Sequence, residues 1–505
     1  MHLHLRAGGL AATALALLIA LAGCQSSPRG GDPGTVGSSA ESATPTRSRA
    51  PEPTPAGELD DAALVVTNGT VVTMDAKRTV IERGAVAIVD GRIAAVGTAA
   101  EVEAAHAGAE RIDARGGIVL PGLINAHTHA AMVLFRGLVD DLDLLEWLER
   151  YIFPAEAEHV DEDFVRVGTR LACLEMLLGG TTTMVDLYYY EDAVAEEVER
   201  CGMRGVLGQT VIGFPAPDFA TAEEAMAAAR RLAERWRGHP RIVPAVAPHA
   251  LYTLTAEQMT AAHALARELD VPLLTHLSED RSEIERVRAR TGTTSIEALE
   301  ALGVLDHRLL GAHVVVASPA EIALLARRGV GVAHCPQSNM KVGAGAAPVP
   351  AMIAAGVAVG IGTDGAASNN DLDLWDEIDT AAKLHKLQTG DPKVLDARQA
   401  LAMATIEGAR AIDLDGEIGS LEPGKRADLV VVSVGGLHQQ PQRPMPNPYS
   451  LLVYATKASD VETVIVEGRV VVRDGRVLTL DAEEVIRQAA AKREKLEMLV
   501  PPPEP

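Results

Sequence analysis

The chain has 505 residues, with 46 Lys and Arg against 69 Asp and Glu, a formal charge of −23 and a pI near 5.1. That balance excludes a nucleic-acid binder, because phosphates demand Lys and Arg, and no basic stripe offsets it. The length exceeds one ordinary domain and leaves room for a β/α barrel of about 250 residues plus something else.

In chain order, residues 1–23 read as a targeting segment: Arg6, then apolar Leu10 to Leu21, then Ala22 and Gly23 before Cys24. The apolar run is too short to span a bilayer comfortably. Leu21, Ala22, Gly23 and Cys24 resemble the bacterial lipobox. That resemblance implies a lipid on Cys24 and a protein anchored in the cell envelope outside the cytoplasm, its only expected contact with a membrane. Residues 24–60 are rich in Ser, Pro, Gly and Thr and read as a disordered tether. Cys173, Cys201 and Cys335 remain beyond it, an odd number with no metal-like spacing, so a disulfide framework is not expected.

Residues 61–118 read as short strands: Leu64 to Met74, Ala85 to Val89 and Arg92 to Gly97, with an Asp90-Gly91 hairpin turn between the last two. Residues 420–480 repeat the pattern, with strands at Ala427 to Val434, Val461 to Glu467 and Val470 to Leu478, the last carrying an Asp474-Gly475 turn. Neither set alone can bury a sheet face, so the two are expected to form one composite β-sandwich domain. Residues 481–505 are read as a C-terminal helix and tail.

Between them, residues 119–419 alternate strand and helix. Eight apolar runs occur, at Gly117 to Ile124, Thr181 to Leu187, Arg204 to Val211, Ile242 to Ala247, Val271 to Leu274, Leu309 to Ala312, Val330 to Ala333 and Val357 to Ile361. Amphipathic segments such as Ala222 to Trp236, Ala256 to Leu269, Ser282 to Leu302 and Ala320 to Arg328 separate them. Eight parallel strands with crossover helices close as a TIM-like (β/α)8 barrel, whose chemistry sits at the C-terminal strand ends.

Six of the 15 histidines fall at that rim: His127, His129, His249, His276, His313 and His334, with Glu279 and Asp364 beside them. Two histidines one residue apart on a strand share a face and can grip one ion. The stretches LPGLINAHTH from Leu120, His276 to Glu279 and GTDG from Gly362 resemble the amidohydrolase superfamily. Arg136 to Glu156, APHALYT from Ala247, HCPQSNMK from His334 and GTDGAASNND from Gly362 resemble, more narrowly, its methylthioadenosine/S-adenosylhomocysteine deaminase and chlorohydrolase group. The closing segment Ala404 to Val431 is similar to the superfamily's usual end.

The resemblance implies that His127, His129, His276 and Asp364 hold one divalent ion, Zn2+ by preference with Fe2+ fitting the same ligands. A central-strand lysine bridges two metals in many relatives, but here strand four ends in Pro248 and His249, which favours a single metal. Asp364 would accept a proton from the attacking water, Glu279 would shuttle it to the substrate ring, and His313 would polarise the water or stabilise developing charge. Glu156 and His249 match sugar-contacting positions, with Glu279 and Asp364 also facing the substrate, while His334 and Asn339 are left to shape the loop after strand seven. Phe153 stands where the group has Trp, Leu251 where it often has Pro, and Ile412-Asp413 where it has Leu-Gly.

The expected activity is deamination of an aminopurine nucleoside, first an adenosine derivative with sulfur at its 5′ position, with water as co-substrate. Hydrolytic dechlorination or deamination of another N-heterocycle (triazine, guanine, cytosine) shares the same groups. A surface-tethered solute- or metal-binding lipoprotein is the non-enzyme alternative, and self-association into a homo-oligomer stays open.

Overall fold

The computed structural model describes residues 63–441 and 447–497. The signal segment, Cys24, the tether and residues 498–505 lie outside the described residues. None of the described helices is long and apolar enough to cross a membrane.

Eight parallel strands form the central sheet: β1 (Leu123–Thr128), β2 (Thr181–Tyr188), β3 (Arg204–Val211), β4 (Ile242–Pro248), β5 (Leu273–Leu277), β6 (Leu309–His313), β7 (Gly331–His334) and β8 (Val359–Ile361). Each pairs with its sequence neighbour. The barrel is drawn shut at its rim, where Asp364 N–H donates to the His127 carbonyl at 2.9 Å. Asn125 reinforces that seam, donating from Nδ2 to Thr363 Oγ1 (2.8 Å) and accepting from Thr363 N–H (3.0 Å). Gly362 allows the approach, since a Cβ there would lie 2.7 Å from His127 N.

The apolar run expected as one barrel strand from Gly117 to Ile124 is divided. Ile118–Pro121 pairs antiparallel with Leu429–Val432 in the other sheet, and only Leu123–Thr128 enters the barrel. Gly122 sits at the junction because a Cβ there would meet Thr182 Oγ1 at 2.1 Å. The expected helix Ser282 to Leu302 is likewise two, Arg281–Thr291 and Ser295–Ala301, broken at Gly292 (φ +81°) and restarted by the Thr294 hydroxyl accepting from Glu297 N–H. Buried β5 runs two to three residues later than its apolar run suggests, which carries His276 into the strand.

The two terminal strand sets join in one nine-stranded sheet. Leu64–Val72 and Val80–Val89 pair antiparallel, Val80–Val89 and Arg92–Thr98 meet through the Asp90-Gly91 turn, and Leu429–Val432, Val461–Val466 and Arg469–Arg473 complete the other half. One face gathers Val66, Val86, Ile88, Val119, Leu429, Val431 and Ile465 into a core of its own. The other face adds Ile118, Leu120, Val430, Val432 and Val464 to the barrel's outer core. A buried ion pair crosses this boundary, with Arg204 Nε 2.8 Å from Asp428 Oδ2. Cys173, Cys201 and Cys335 are buried free thiols.

Candidate active site

The strand ends carry the polar residues inward because the barrel alternates its side chains between lumen and helix layer. His127 and His129 stand at the end of β1, with His276 on β5 and Asp364 just after β8. His127 Nε2 lies 3.4 Å and His129 Nε2 3.2 Å from Asp364 Oδ1, and His129 Nε2 lies 3.2 Å from His276 Nε2. These are residues 237 positions apart at the extremes, brought to one point.

The hydrogen-bond partners assign the rings. His129 Nδ1 faces the Leu187 carbonyl at 2.7 Å and His276 Nδ1 faces the His249 carbonyl at 2.8 Å. A carbonyl only accepts, so each Nδ1 carries the hydrogen and each Nε2 turns a lone pair towards the other. Two lone pairs at that separation repel unless a cation lies between them. Nitrogens on one zinc, at about 2.0–2.1 Å each in tetrahedral array, would stand about 3.4 Å apart. His127 Nε2 is buried without a hydrogen-bond partner, a third donor atom aimed at the same point. His127, His129 and His276 form one group with ligand atoms within 4.8 Å of one another, and His127, His313 and Asp364 a second.

The electrostatics favour positive charge beside Asp364. Burial pushes His127 down to about 4 against the pull of Asp364, and drives His276 well below its ordinary value. For His129 burial is outweighed by Asp364, and its pKa rises to about 9: beside that carboxylate Nε2 draws positive charge, whether a proton or a bound cation. Burial would raise Asp364, but the imidazoles of His127 and His129 beside it hold it well below the carboxylate range. Asp364 is further fixed by Ser338 and Ser368, whose hydroxyls donate to Oδ2 at 2.7 and 2.9 Å, and by Gly365 N–H on Oδ1 at 2.8 Å.

Glu279 faces the same centre, its Oε1 3.6 Å from His313 Nε2. Burial, with Asp364 nearby, raises its pKa well above the ordinary carboxylate value, which favours the protonated acid. His313 is oriented by Asn339, whose Oδ1 lies 2.9 Å from His313 Nδ1. His313 (φ +74°) and Asp364 (φ +62°) both adopt left-handed backbone, a strain that concentrates at working sites.

Above them opens a cavity. His129, His276, Glu279 and Asp364 form its floor, with His249 beside them, and Leu144, Trp147, Leu148, Ile152 and Phe153 form one wall. Glu156 is buried in that wall and accepts from Tyr188 Oη at 2.8 Å and Tyr189 Oη at 3.4 Å. Burial, offset by those phenols, raises its pKa to about 7. His249 Nδ1 meets Thr253 Oγ1 at 3.1 Å.

Thus the structure brings together every body residue expected at the site: His127, His129, Glu156, His249, His276, Glu279, His313 and Asp364. Several partners escaped the sequence reading. Tyr188, Tyr189 and Tyr252 line the cavity, and only their aromatic character at a strand or loop end could have marked them. Asp186 accepts from Thr128 Oγ1 (2.6 Å) and Ala130 N–H (2.7 Å), pinning the turn after β1. Glu283 looks like surface charge in an acidic run, yet it is fully buried. It accepts from the N–H groups of Ser278 (3.1 Å) and Glu279 (2.6 Å) and from the Ser295 hydroxyl (2.6 Å), clamping the loop that carries Glu279. His334 does not face the cavity; its Nε2 meets His385 Nε2 at 3.2 Å.

Residues 118–471 match the amidohydrolase family, and residues 84–109 match an imidazolonepropionase-like composite domain of bacteria. The chain is 47% identical over 427 residues to a 5-methylthioadenosine/S-adenosylhomocysteine deaminase of Syntrophobacter fumaroxidans, covering 85% of this chain and 97% of that protein. It is 48% identical over 415 residues to the protein of the same name from Desulforudis audaxviator, covering 82% and 95%. Among solved structures, a zinc-bound adenosine deaminase from Xanthomonas campestris superposes with a TM-score of 0.85 at 37% identity, covering 87% of this chain and 99% of that one. A zinc complex of atrazine chlorohydrolase from Arthrobacter aurescens gives 0.79 at 26% identity, covering 85% and 100%. With the family match spanning the barrel and half the composite sheet, and near-full-length relatives above 40% identity, this chain belongs to the amidohydrolase family.

Proposed function

We propose that this protein is a metal-dependent hydrolase that deaminates adenosine-type nucleosides, replacing the 6-amino group with oxygen and releasing ammonia. The observation that carries the reading is the convergence of three imidazole Nε2 atoms and Asp364 Oδ1, beside the buried Glu279, on the floor of a cavity. Its 37–48% identical relatives named as deaminases of such nucleosides support it.

His127, His129, His276 and Asp364 would hold one divalent ion, and we favour Zn2+, which matches their nitrogen and oxygen donors. Such an ion lowers the pKa of water towards about 7 and so supplies a nucleophile at neutral pH. The chain's own residues do the rest. Glu279 gives its proton to the ring nitrogen next to the amino-bearing carbon, which makes that carbon electrophilic. Asp364 Oδ1 takes the proton released as the water oxygen bonds to that carbon, and His313, whose Nδ1–H is held by Asn339 Oδ1, turns its Nε2 lone pair to the water and polarises it. The proton on Asp364 then passes to the amino group; as the carbon–nitrogen bond breaks and ammonia departs, the new hydroxyl gives its hydrogen to Glu279, which leaves the oxo product and a protonated Glu279. Glu156, flanked by its two phenols, offers oxygens to the sugar hydroxyls, and His249 borders the same region.

Adenosine, methylthioadenosine, guanine, cytosine and a chlorotriazine are to be offered in turn, with ammonia and chloride release followed and bound metal measured on the same sample. Ammonia from the adenosine compounds alone supports the reading; chloride release or guanine turnover without it would refute it. For location we propose an anchor through Cys24 outside the cytoplasm, carried by the Leu21 to Cys24 sequence. Membrane fractionation of the full chain and its Cys24→Ala variant tests this, since equal partition of both would exclude the anchor.

A further inference from the structure

The cavity wall is a single stretch of helix with an irregular middle. Leu144–Trp147 is α-helical, Leu148–Ile152 is a π-helical turn, and Phe153–His159 is α-helical again, with helical backbone angles across both joints. A π turn advances each residue by about 80° against about 100° in an α-helix, so five such residues take roughly 100° out of the rotation. Counted along an unbroken α-helix, Phe153 would point about 180° away from Leu144 and Glu156 about 120° away. With the π turn, Leu144, Leu148, Ile152 and Glu156 fall in one row and Phe153 beside it, and all of them line the cavity. The irregularity therefore places one carboxylate in register with an apolar stripe.

That stripe has a definite chemistry. Phe153 packs edge-on against Phe214, ring centres 5.4 Å apart, and its ring centre lies 6.2 Å from that of His249. Ile152 is fully buried, and Leu144, Trp147 and Leu148 are nearly so. Among the described residues, the carboxylates lining the cavity are Glu156, Glu279 and Asp364, and no Lys or Arg lines it with them.

Resting on the deaminase reading above, we propose that the Leu144–His159 helix is the specificity element of the site, and that it selects nucleosides whose 5′ substituent is small, apolar and uncharged over those that end in a zwitterionic amino acid. With the sugar hydroxyls on Glu156, the 5′ group runs along the row towards Ile152, Phe153 and Leu148. A methylthio group gains from removing apolar surface there. A charged ammonium and carboxylate would lose water without a partner of opposite sign, which costs more than the extra methylenes return.

The test is deamination by the full, metal-loaded chain of methylthioadenosine, 5′-deoxyadenosine, adenosine and S-adenosylhomocysteine, each alone and in pairwise competition. Methylthioadenosine is expected to exceed S-adenosylhomocysteine in kcat/KM by at least about tenfold. The Leu148→Lys variant, which sets an ammonium at the end of the row, is expected to narrow that ratio by about tenfold. S-adenosylhomocysteine equal to or better than methylthioadenosine in the unaltered protein would overturn the inference alone, and needs no variant to fold. An unchanged ratio in an active Leu148→Lys variant would remove the helix from the selecting role. Ammonia from none of the four would overturn the deaminase reading and this inference together.

Discussion

The floor and the wall of the cavity are built by opposite means. On the floor, each reactive side chain is held by a directional bond from elsewhere: His129 by the Leu187 carbonyl, His276 by the His249 carbonyl, His313 by Asn339, Asp364 by two serine hydroxyls. The wall is one helix seated by apolar contact, with Glu156 as its buried polar group. Directional bonds fix an atom to within a few tenths of an ångström and fail when one partner is lost, whereas apolar packing tolerates volume-conserving exchange. Chemistry therefore resides where substitution is costly, and substrate choice where it is cheap. Phe153, which departs from the pattern of the resembling group, lies in the wall.

The sharpest way to break this contrast is on the floor. His129→Ala should lose its metal and at least about 10³-fold in kcat, since the ion's whole contribution goes with it; elemental analysis beside turnover checks it, and an active variant free of metal would sink the arrangement. Glu279→Gln should keep the metal but lose about 10²–10⁴-fold in kcat, the usual worth of a positioned proton carrier. Near-normal turnover would remove it from the proton path.

One step out, Ser368→Ala deprives Asp364 Oδ2 of one of its two hydroxyl donors. Metal affinity should fall about 10- to 100-fold, measured by competition with a chelator; an unaltered affinity would mean that Ser338 suffices. On the wall, Glu156→Gln should raise KM for a nucleoside about tenfold while leaving kcat within a few-fold, because a neutral amide still reaches the sugar but accepts more weakly. A collapse of kcat instead would move Glu156 to the floor. Phe153→Trp is the mildest, with kcat/KM for methylthioadenosine expected within about fivefold of the parent.

Legibility follows the same division. Eight buried runs and the pairing of histidines with strand ends were plain, because a two-residue period and a β/α alternation are local properties of the chain. Gly122 was visible but its meaning was not: the apolar run 118–124 feeds two sheets, and only the partner strand Leu429–Val432 reveals the division. Glu283 was not legible for a related reason, since an acidic run looks solvated until Ser278, Glu279 and Ser295 are seen to donate to it.

By itself the sequence determined the barrel and its companion sheet, since residue type and spacing along a strand decide which face a side chain takes, while the expected ligand set and carboxylate roles came with the resemblance to the family. Only the tertiary structure decided which nitrogen of each ring is free, how Asp364 is held and how a π turn brings Glu156 into line with the wall. The first two outcomes depend on carbonyls and hydroxyls contributed mostly by segments tens of residues away, and no local pattern encodes a contact at that separation.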